Sequence, residues 1–375
     1  MTKPYRIALV FGGRSGEHEV SLSSARSFLA AVDHKRFDVL QIGITLSGRW
    51  FTGPNILEQL ADRARLGTVP GESLPEEWVG LTPVAPLPEP RDIPRPPGRT
   101  HPLTEVDVVF NLVHGSYGED GCLQGLFELV DVPYVGAGVA GSAAAMDKLL
   151  AKAVLRDAGL EVGDFEPVLR HELENDRRAV IDRLEARLPY PMFVKPANLG
   201  SSVGVRKAED RRRLGAALDC AAAFDRRIIV ERAVVGDEIE CAVLGNDAPR
   251  ASVAGEIRPA NEFYDYDAKY VDDSELLIPA PCLDESGQAE VRRLALAAFR
   301  ALDIAGMARI DFFRERSTGR FIVNEVNTLP GFTPISMYPK LWVADGLEYN
   351  ELVASLVELA LERHADRRRN LHRHR

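Results

Sequence analysis

Residues 307–331 read MARIDFFRERSTGRFIVNEVNTLPG, and this is the most informative stretch of the chain. Ala308–Phe313 alternates and is apolar enough for a strand. Residues 317–319 supply turn chemistry, and Phe321–Val326 has the character of a returning strand. The stretch therefore predicts a β-hairpin.

This hairpin brings Asp311 close to Glu325 and Asn327. Mg²⁺ prefers oxygen ligands in near-octahedral geometry and is commonly held by one or two carboxylates together with substrate phosphates. Zn²⁺ would prefer His or Cys, and the stretch contains neither. A magnesium-ATP site is one interpretation, and a surface hairpin with solvated acidic side chains is the other.

A second stretch, MFVKPANLGSSVGV at residues 192–205, has the composition of a phosphate cradle. A short apolar run ends in Lys195, and the small residues of 200–204 allow backbone amides to approach an anion closely. A plain hairpin loop is the alternative. The dipeptide Gly-Lys is absent from the chain, which excludes a Walker-type loop.

Length and composition set wider bounds. A chain of 375 residues predicts two or three units with sizeable cores. The formal net charge of -10 and the pI near 5.4 argue against a nucleic-acid-binding protein. Four cysteines without a C-x-x-C pair, and no signal-type apolar region, predict a reduced, cytoplasmic protein. No apolar stretch approaches the roughly 20 residues that span a bilayer, so we expect no membrane association.

The N-terminal part has the pattern of an α/β unit. Ile7–Phe11 is an apolar strand, and Val20–Val32 has the pattern of the helix that packs after it. Val39–Thr45 and Val106–Val113 are further strand candidates, which favours a parallel sheet with crossover helices. Pro70–Pro102 carries ten prolines and is expected to be an irregular surface excursion of unknown role.

The sequence GAGVAG at 136–141 matches a dinucleotide-binding fingerprint, which would suggest a dehydrogenase. Against this, the preceding run contains Pro133, and no following strand ends in an acidic residue at the required distance.

Near the C-terminus, Leu347–Arg363 has helical periodicity. The basic tail ADRRRNLHRHR at 365–375 is expected to be disordered, and it lacks the aromatic residues of a nucleic-acid-binding segment.

Several longer motifs occur in order along the chain. They are HGSYGEDGCLQG (114–125), AMDKLL (145–150), KPANLGSSVG (195–204), YDYDAKY (264–270), ARID (308–311) and NEVNTLPGF (324–332). Together they resemble the D-alanine:D-alanine ligase family, from Ile7 to about Leu361. The resemblance implies an α/β fold: a Rossmann-like parallel-sheet domain at 1–139 is followed by two α+β ATP-grasp domains, 140–233 and 234–375, that hold ATP between their sheets.

The resemblance also implies a reaction. The γ-phosphoryl group of ATP activates the carboxylate of one D-alanine as an acyl phosphate, which the amine of a second D-alanine attacks; the dipeptide is used for peptidoglycan precursor synthesis. The expected cofactors are ATP and two Mg²⁺ ions, with Mn²⁺ as an alternative, and a homodimer is usual in the family. D-lactate or D-serine as the second substrate, and a nucleotide-binding regulator without catalysis, are the alternatives.

Site residues carried over from the family fall into four groups. The ATP-binding residues are Lys148, Lys195, Ser202, Glu231, Arg232, Val234 and Glu238. The metal ligands are Asp311, Glu325 and Asn327. The catalytic residues are Glu17, His114, Ser201, Tyr270, Arg309 and Gly331. The residues expected to bind the carboxylate of the second D-alanine are Lys269 and Ser336.

The resemblance also assigns individual contacts. Glu231 and the backbone of 232–234 would meet the adenine, and Glu238 would accept the ribose hydroxyls. Some relatives have lysine where Arg232 stands, which leaves side-chain contacts of this residue open. Lys148 is expected one turn inside a helix spanning 142–158, facing the phosphates.

The catalytic groups have electrostatic roles in this family. Arg309 and the Gly331 N–H would form an oxyanion hole. Glu17 would accept the ammonium of the first D-alanine, and His114 is a candidate base. Residues 256–274 would form a lid over ATP.

Tyr270, within this lid, would hydrogen-bond with Ser201 and Glu17 to lock the lid. Its presence favours amide over ester formation, because D-lactate-using relatives lack this pattern.

Overall fold

The computed structural model describes residues 4–65, 80–84, 101–258 and 274–371. Three β-sheets and their flanking helices give a mixed α/β fold, which confirms the predicted class. Among the described helices, none is both long enough and apolar enough to cross a bilayer.

The described strands are β1 Tyr5–Gly12, β2 Phe37–Ile44, β3 Trp50–Thr52, β4 Thr82–Val84, β5 Val108–Asn111, β6 Phe165–Leu169, β7 Met192–Pro196, β8 Arg206–Ala208, β9 Arg227–Arg232, β10 Gly236–Gly245, β11 Arg250–Arg258, β12 Glu275–Leu277, β13 Gly306–Glu315 and β14 Phe321–Asn327. The described helices are α1 His18–Ala31, α2 Ile56–Arg65, α3 Cys122–Leu129, α4 Val139–Met146, α5 Lys148–Asp157, α6 Arg170–Arg187, α7 Arg211–Phe224, α8 Glu285–Ala301, α9 Met337–Ala344 and α10 Tyr349–Arg367. A short 3-10 helix covers Pro102–Thr104.

The N-terminal sheet has the strand order β4-β3-β2-β1-β5. Strand β1 pairs in parallel with both β2 and β5, as predicted. The sheet is not parallel throughout, because the edge strands β3 and β4, which were not predicted, are antiparallel. Ile44 pairs with Trp50, and so short a connection can join only antiparallel neighbours, since a parallel pair needs a long crossover.

Strand β1 is buried on both faces. Ile7 and Leu9 belong to one hydrophobic core, while Ala8 and Val10 belong to the core on the opposite face. Side chains alternate across a strand, so a continuous apolar run is what a central strand covered on both sides requires.

The other two sheets are antiparallel. One has the order β6-β9-β7-β8 and will be called the middle sheet; the other has the order β12-β11-β10-β13-β14 and will be called the C-terminal sheet. The predicted hairpin is confirmed as β13 and β14. Each sheet lies within one of the three predicted domain ranges, whose exact boundaries stay predictions.

The helix expected at 142–158 is two helices. Asp147 separates them with φ −84° and ψ 104°, outside the helical region. Its carboxylate accepts hydrogen bonds from the backbone N–H groups of Leu149 (3.1 Å) and Leu150 (3.0 Å), which makes it the N-cap of α5. Lys148 is therefore the first residue of a helix, and the prediction that it lies one turn inside is wrong.

The C-terminal helices pack against the N-terminal sheet. Trp342 on α9 and Leu352 and Leu356 on α10 share one hydrophobic core with Ile7 and Phe110 of that sheet. The two ends of the described chain are therefore held together by apolar burial, the main favourable contribution to folding.

The basic C-terminal segment is more ordered than its composition predicts. Helix α10 continues to Arg367, so the expectation of disorder from Ala365 onward is wrong for these residues. Arg367 and Arg368 lie 3.5 Å and 3.8 Å from carboxylate oxygens of Asp131, and these ion pairs tie the last turn to the N-terminal unit.

Two predicted segments fall largely outside the described residues. Of the proline-rich excursion at 70–102, Thr82–Val84 forms the edge strand β4 and Pro102 begins the 3-10 helix. Of the lid expected at 256–274, the first three residues are the end of strand β11, and residues 259–273 lie outside the described residues.

The glycine pattern at 136–141 has a packing explanation. A Cβ atom at Gly141 would lie 2.7 Å from the carbonyl oxygen of Asp303 and 3.0 Å from that of Leu302. Helix α4 therefore approaches the backbone after α8 at a distance that only glycine permits.

We expect Gly141→Ala to lower the free energy of unfolding by about 1–3 kcal/mol, because the added methyl group meets backbone atoms that cannot move aside. Gly125→Ala is the matched control, since Gly125 is also helical and a Cβ there meets nothing within 4 Å. That control should be neutral or stabilising by up to about 1 kcal/mol. Urea unfolding measures both, and equal changes in the two variants would contradict the packing explanation.

Candidate active site

A cavity of about 1440 Å³ is lined by residues from the middle and C-terminal sheets and from the loops after β1 and β5. All predicted site residues that the structure describes line it. They are Glu17, His114, Lys148, Lys195, Ser201, Ser202, Glu231, Arg232, Val234, Glu238, Arg309, Asp311, Glu325, Asn327, Gly331 and Ser336. The other two, Lys269 and Tyr270, lie outside the described residues.

The predicted metal ligands lie side by side on the β13–β14 hairpin. Asp311 is directly opposite Glu325, and Arg309 is directly opposite Asn327. Cross-strand partners point to the same face, and the Asn327 amide donates a hydrogen bond to Asp311 at 2.9 Å. The hairpin thus presents two carboxylates, an amide and a guanidinium together.

Arg309 lies among carboxylates. Its Nε and Nη2 donate to the two carboxylate oxygens of Asp311, each at 2.7 Å, and its Nε lies 2.9 Å from Oε2 of Glu240. Burial lowers the pKa of Arg309, but the carboxylates of Asp311 and Glu240 raise it by more. The net pKa is therefore well above the ordinary value. The guanidinium remains charged at every relevant pH.

Glu231 is held between two ammonium groups. Oε1 lies 2.8 Å from Nζ of Lys152, and Oε2 lies 2.7 Å from Nζ of Lys195. Lys152 also donates to the carbonyl of Val162 at 2.9 Å. Burial raises the pKa of Glu231, but the two ammonium groups outweigh it and lower the pKa to about 2. The predicted adenine contact is therefore ionised and touches the predicted phosphate ligand Lys195.

The predicted phosphate cradle is a tight loop. Ser201 and Ser202 have φ of 49° and 56°, a left-handed conformation that is rare outside glycine. A Cβ atom at Gly200 would lie 2.3 Å from Oε1 of Glu17, so the loop packs directly on this carboxylate. Nζ of Lys148 donates to the carbonyl of Leu199 at 2.7 Å and fixes the start of the loop.

His114 is 1% exposed and uses both ring nitrogens. Nε2 contacts the Ser24 hydroxyl at 2.9 Å, and Nδ1 contacts the carbonyl of Leu329 at 3.0 Å. Burial lowers the pKa of His114, but Glu119, Glu17 and the Leu329 carbonyl raise it more, so the net pKa lies above the ordinary value. The ring connects the N-terminal unit to the loop that contains the predicted oxyanion-hole residue.

Ser336 lies beside that loop, at the start of α9. Its hydroxyl accepts a hydrogen bond from the Thr333 backbone N–H at 3.1 Å and contacts the Thr333 hydroxyl at 2.7 Å. A Cβ atom at Gly331 would lie 2.9 Å from the Ser336 hydroxyl, so these two predicted residues are close neighbours.

The side chain of Arg232 is engaged within the protein. It donates to Glu315 at 3.1 Å and lies 3.4 Å from Asp164. Val234 follows along the cavity wall, and Glu238 lies on β10 directly opposite Phe313. Arg232 therefore joins the two predicted nucleotide-binding units.

Comparisons with known proteins match nearly the whole chain. The family models described as D-ala D-ala ligase N-terminus and C-terminus match residues 6–137 and 154–358. A D-alanine--D-alanine ligase of Ruminiclostridium cellulolyticum is 48% identical over 369 residues, which cover 97% of each chain. This chain belongs to the D-alanine–D-alanine ligase family.

Other members of the family agree. A D-alanine--D-alanine ligase A of Chromobacterium violaceum is 48% identical, covering 96% of this chain and 95% of its own. The solved D-alanine-D-alanine ligase of Coxiella burnetii has a TM-score of 0.81 at 34% identity, covering 98% of this chain and 97% of its own. The VanG D-Ala:D-Ser ligase of Enterococcus faecalis has a TM-score of 0.80 at 33% identity, covering 96% and 100%. The resemblance inferred from the motifs is confirmed, and the protein is an enzyme of this ligase family.

Two buried charged residues that line the cavity, Lys152 and Glu240, were not predicted from the sequence. Lys152 lies one helical turn after Lys148 on the same face of α5, a spacing that could have indicated it. Glu240 lies two residues after Glu238 on β10, and the period of a strand places both on one face. Both are charged residues that burial makes costly unless they are paired.

Proposed function

We propose that this protein is an ATP-dependent ligase that joins two D-alanine molecules into D-alanyl-D-alanine through an acyl phosphate, for peptidoglycan precursor synthesis. The observation that carries the proposal is that the acidic hairpin and the small-residue loop with Lys195 line one cavity. Carboxylate activation needs both, because a phosphoryl group must be held while its charge is neutralised. Family membership supports the choice of D-alanine.

We infer that ATP lies between the middle sheet and the C-terminal sheet, as in an ATP-grasp arrangement. Lys195 and the loop at 200–204 on the middle sheet would hold phosphates, with Lys148 fixing the loop. Glu231 and the backbone of 232–234 would meet the adenine. Glu238, on the C-terminal sheet, would accept the ribose hydroxyls.

The hairpin residues fit a hard divalent cation. Their donor atoms are all oxygens, and the carboxylates in contact with Arg309 outnumber the single guanidinium. No group of three or more His, Cys, Asp and Glu forms a ready-made metal cluster within the described residues. A Mg²⁺ site of one or two carboxylates completes its shell with phosphate oxygens and water.

We therefore place two Mg²⁺ ions, or Mn²⁺ in their stead, on Asp311, Glu325 and Asn327. When bound, the ions would neutralise phosphate charge and polarise the γ-phosphoryl group.

The chain's own groups complete the electrostatic account. Glu17 would accept the ammonium of the first D-alanine. Arg309 and the Gly331 N–H would stabilise the negative charge of the tetrahedral intermediate after the second amine attacks. Ser336 and Lys269 would bind the second carboxylate through charge-assisted hydrogen bonds.

We assign His114 a positioning role in this proposal. Both ring nitrogens are engaged, with Ser24 and Leu329, and the imidazole is buried. A general base needs a nitrogen within reach of the substrate proton. By bonding to Leu329, the imidazole instead fixes the loop that leads to Gly331.

Water must be excluded, because hydrolysis of the acyl phosphate competes with amide formation. We propose that residues 256–274 close over the cavity, with Tyr270 bonding to Ser201 and Glu17. Ser201 and Glu17 both line the cavity, and the loop that carries Ser201 packs on the carboxylate of Glu17.

A homodimer and a cytoplasmic location complete the proposal. All four cysteines are free thiols, which is consistent with a reducing compartment.

D-serine or D-lactate as the second substrate is the competing proposal. The solved D-Ala:D-Ser ligase matches the fold as well as the solved D-alanine ligase does, so the fold does not discriminate between them. Relatives at 44–49% identity are D-alanine ligases by name, which favours D-alanine. A methyl or hydroxyl difference changes discrimination by only about 1–3 kcal/mol in an apolar pocket.

The test is phosphate release from ATP and Mg²⁺ with D-alanine alone, and with D-alanine plus D-serine or D-lactate, followed by mass spectrometry of the products. We expect release that requires D-alanine and gives its dipeptide. A product containing D-serine or D-lactate only would move the protein to the competing class, and absence of turnover would favour a nucleotide-binding regulator.

A further inference from the structure

Glu240 is a buried carboxylate beside the proposed metal ligands. It lies on β10 directly opposite Asp311, so both side chains point to the same face of the C-terminal sheet. It is 4% exposed, and its Oε2 lies 2.9 Å from Nε of Arg309. Arg309 is therefore in contact with two carboxylates at once.

Asp311 faces two competing demands. Both of its oxygens accept hydrogen bonds from Arg309 at 2.7 Å. The same oxygens are the ones that the proposed function gives to a divalent cation. Two positive groups cannot share both oxygens at contact distance without strong repulsion. Arg309 must therefore release at least one Asp311 oxygen when the cation binds.

Release has a consequence for Arg309 itself. Its side chain is only 14% exposed, and a buried charge that loses its partner is strongly destabilised. Glu240 is already in contact and lies on the neighbouring strand. The guanidinium can therefore move off Asp311 and stay paired within the cavity wall.

We propose that Glu240 is a positioning residue that holds Arg309 in the cavity wall while a divalent cation occupies Asp311. This inference rests on the proposed metal-dependent function. It predicts that Glu240 sets metal affinity through Arg309. A general attraction of Glu240 for the cation would act whether or not Arg309 is present.

The experiment measures Mn²⁺ binding to the full-length protein by electron paramagnetic resonance, with a non-hydrolysable ATP analogue at saturation. Glu240→Gln should weaken Mn²⁺ binding by about 10- to 100-fold, the range found when a group that orients a metal ligand is lost. Glu240→Asp should weaken it similarly, because the carboxylate keeps its charge but withdraws from Arg309 by about 1.5 Å. If Glu240 acts only by charge, the Asp variant binds Mn²⁺ like the wild type, which would overturn the proposal.

A double-mutant cycle provides the second comparison. In an Arg309→Met background, the loss caused by Glu240→Gln should be at least about threefold smaller, since coupled residues of one ion-pair network are non-additive. Equal losses in both backgrounds would also overturn the proposal. Should Glu240→Gln not fold, the Asp variant carries the same comparison.

The wild type separates this inference from the proposed function. Mn²⁺ binding and dipeptide formation by the wild type, with unchanged Mn²⁺ affinity in the Glu240 variants, would overturn the Glu240 role alone. A wild type that binds no Mn²⁺ with the nucleotide analogue would overturn the metal site and this inference together.

Discussion

Arg309→Met is expected to lower kcat for dipeptide formation by about 10²- to 10³-fold, the usual effect of removing one donor to a developing oxyanion. Arg309 presents a charged, buried guanidinium to the cavity, held by Asp311 and Glu240. Its proposed partner in the reaction carries full negative charge only after the amine attacks. At saturating ATP and Mg²⁺, where a change in cation affinity at Asp311 has no effect on the rate, the loss should therefore fall on kcat.

Arg309→Lys should restore little of the rate. Lysine keeps the positive charge but has one nitrogen, whereas Arg309 donates through Nε and Nη2 to both oxygens of Asp311. Arg293→Met is the matched control, because Arg293 is 64% exposed and pairs only locally with Glu290. Steady-state kinetics with saturating ATP measures all three. A KM effect without a kcat effect in Arg309→Met would show that the guanidinium serves ground-state binding instead.

Glu231→Gln is expected to lower the free energy of unfolding at pH 7 by about 3 kcal/mol, which corresponds to the fall in its pKa from 4.5 to about 2. Burial alone would raise the pKa; the ammonium groups of Lys152 and Lys195 more than compensate for it. The substitution removes the charge that both lysines face. Lys152 is 3% exposed, so water cannot solvate its ammonium group when the carboxylate is removed.

The same shift fixes the direction of the pH dependence. The pKa of Glu231 is depressed in the folded state, so its stabilisation is complete above pH 4.5 and is lost as the pH falls toward about 2. The unfolding free energies of wild type and Glu231→Gln should therefore converge as the pH decreases through this window. Urea unfolding at a series of pH values measures the difference.

Glu290→Gln is the control for this experiment. Glu290 also pairs with a basic residue, Arg293, but both of these side chains are exposed, and such pairs contribute less than about 1 kcal/mol. A pH-independent difference for Glu231→Gln, or a loss no larger than that of Glu290→Gln, would contradict the buried network as a source of stability.

The sequence predicted the parts of the fold that local patterns determine. The β13–β14 hairpin follows from alternation, turn residues and a return strand, and the structure confirms it. Strand β1 follows from its apolar run. These patterns depend on near neighbours in the chain, which is why one sequence is enough to read them.

Other features of the fold depend on side-chain capping, on very short strands or on contacts between distant residues, and hydrophobic periodicity does not predict these. The apolar pattern of 142–158 continues through Asp147, yet its side chain caps a new helix and interrupts the first one. Strands β3 and β4 have three residues each, too few for a reliable alternation signal. The last turn of α10 is ordered by Asp131, more than 200 residues away in the chain.

The site shows the same division. All sixteen predicted residues that the structure describes line one cavity; ten of them lie within the quoted motifs, and the other six were carried over from the family resemblance. Lys152 and Glu240 were missed because each supports another charged residue and has no motif of its own. Long-range pairing of buried charges is visible only when the strands and helices are in place.

The most direct test of acyl-phosphate formation uses D-alanine labelled with oxygen-18 in its carboxylate, together with unlabelled ATP and Mg²⁺. If the first carboxylate attacks the γ-phosphoryl group, one labelled oxygen leaves with the phosphate when the amine displaces it. Reaction through an acyl phosphate should give labelled phosphate in equal amount to the dipeptide. Dipeptide formed with unlabelled phosphate, or phosphate released without dipeptide, would contradict it.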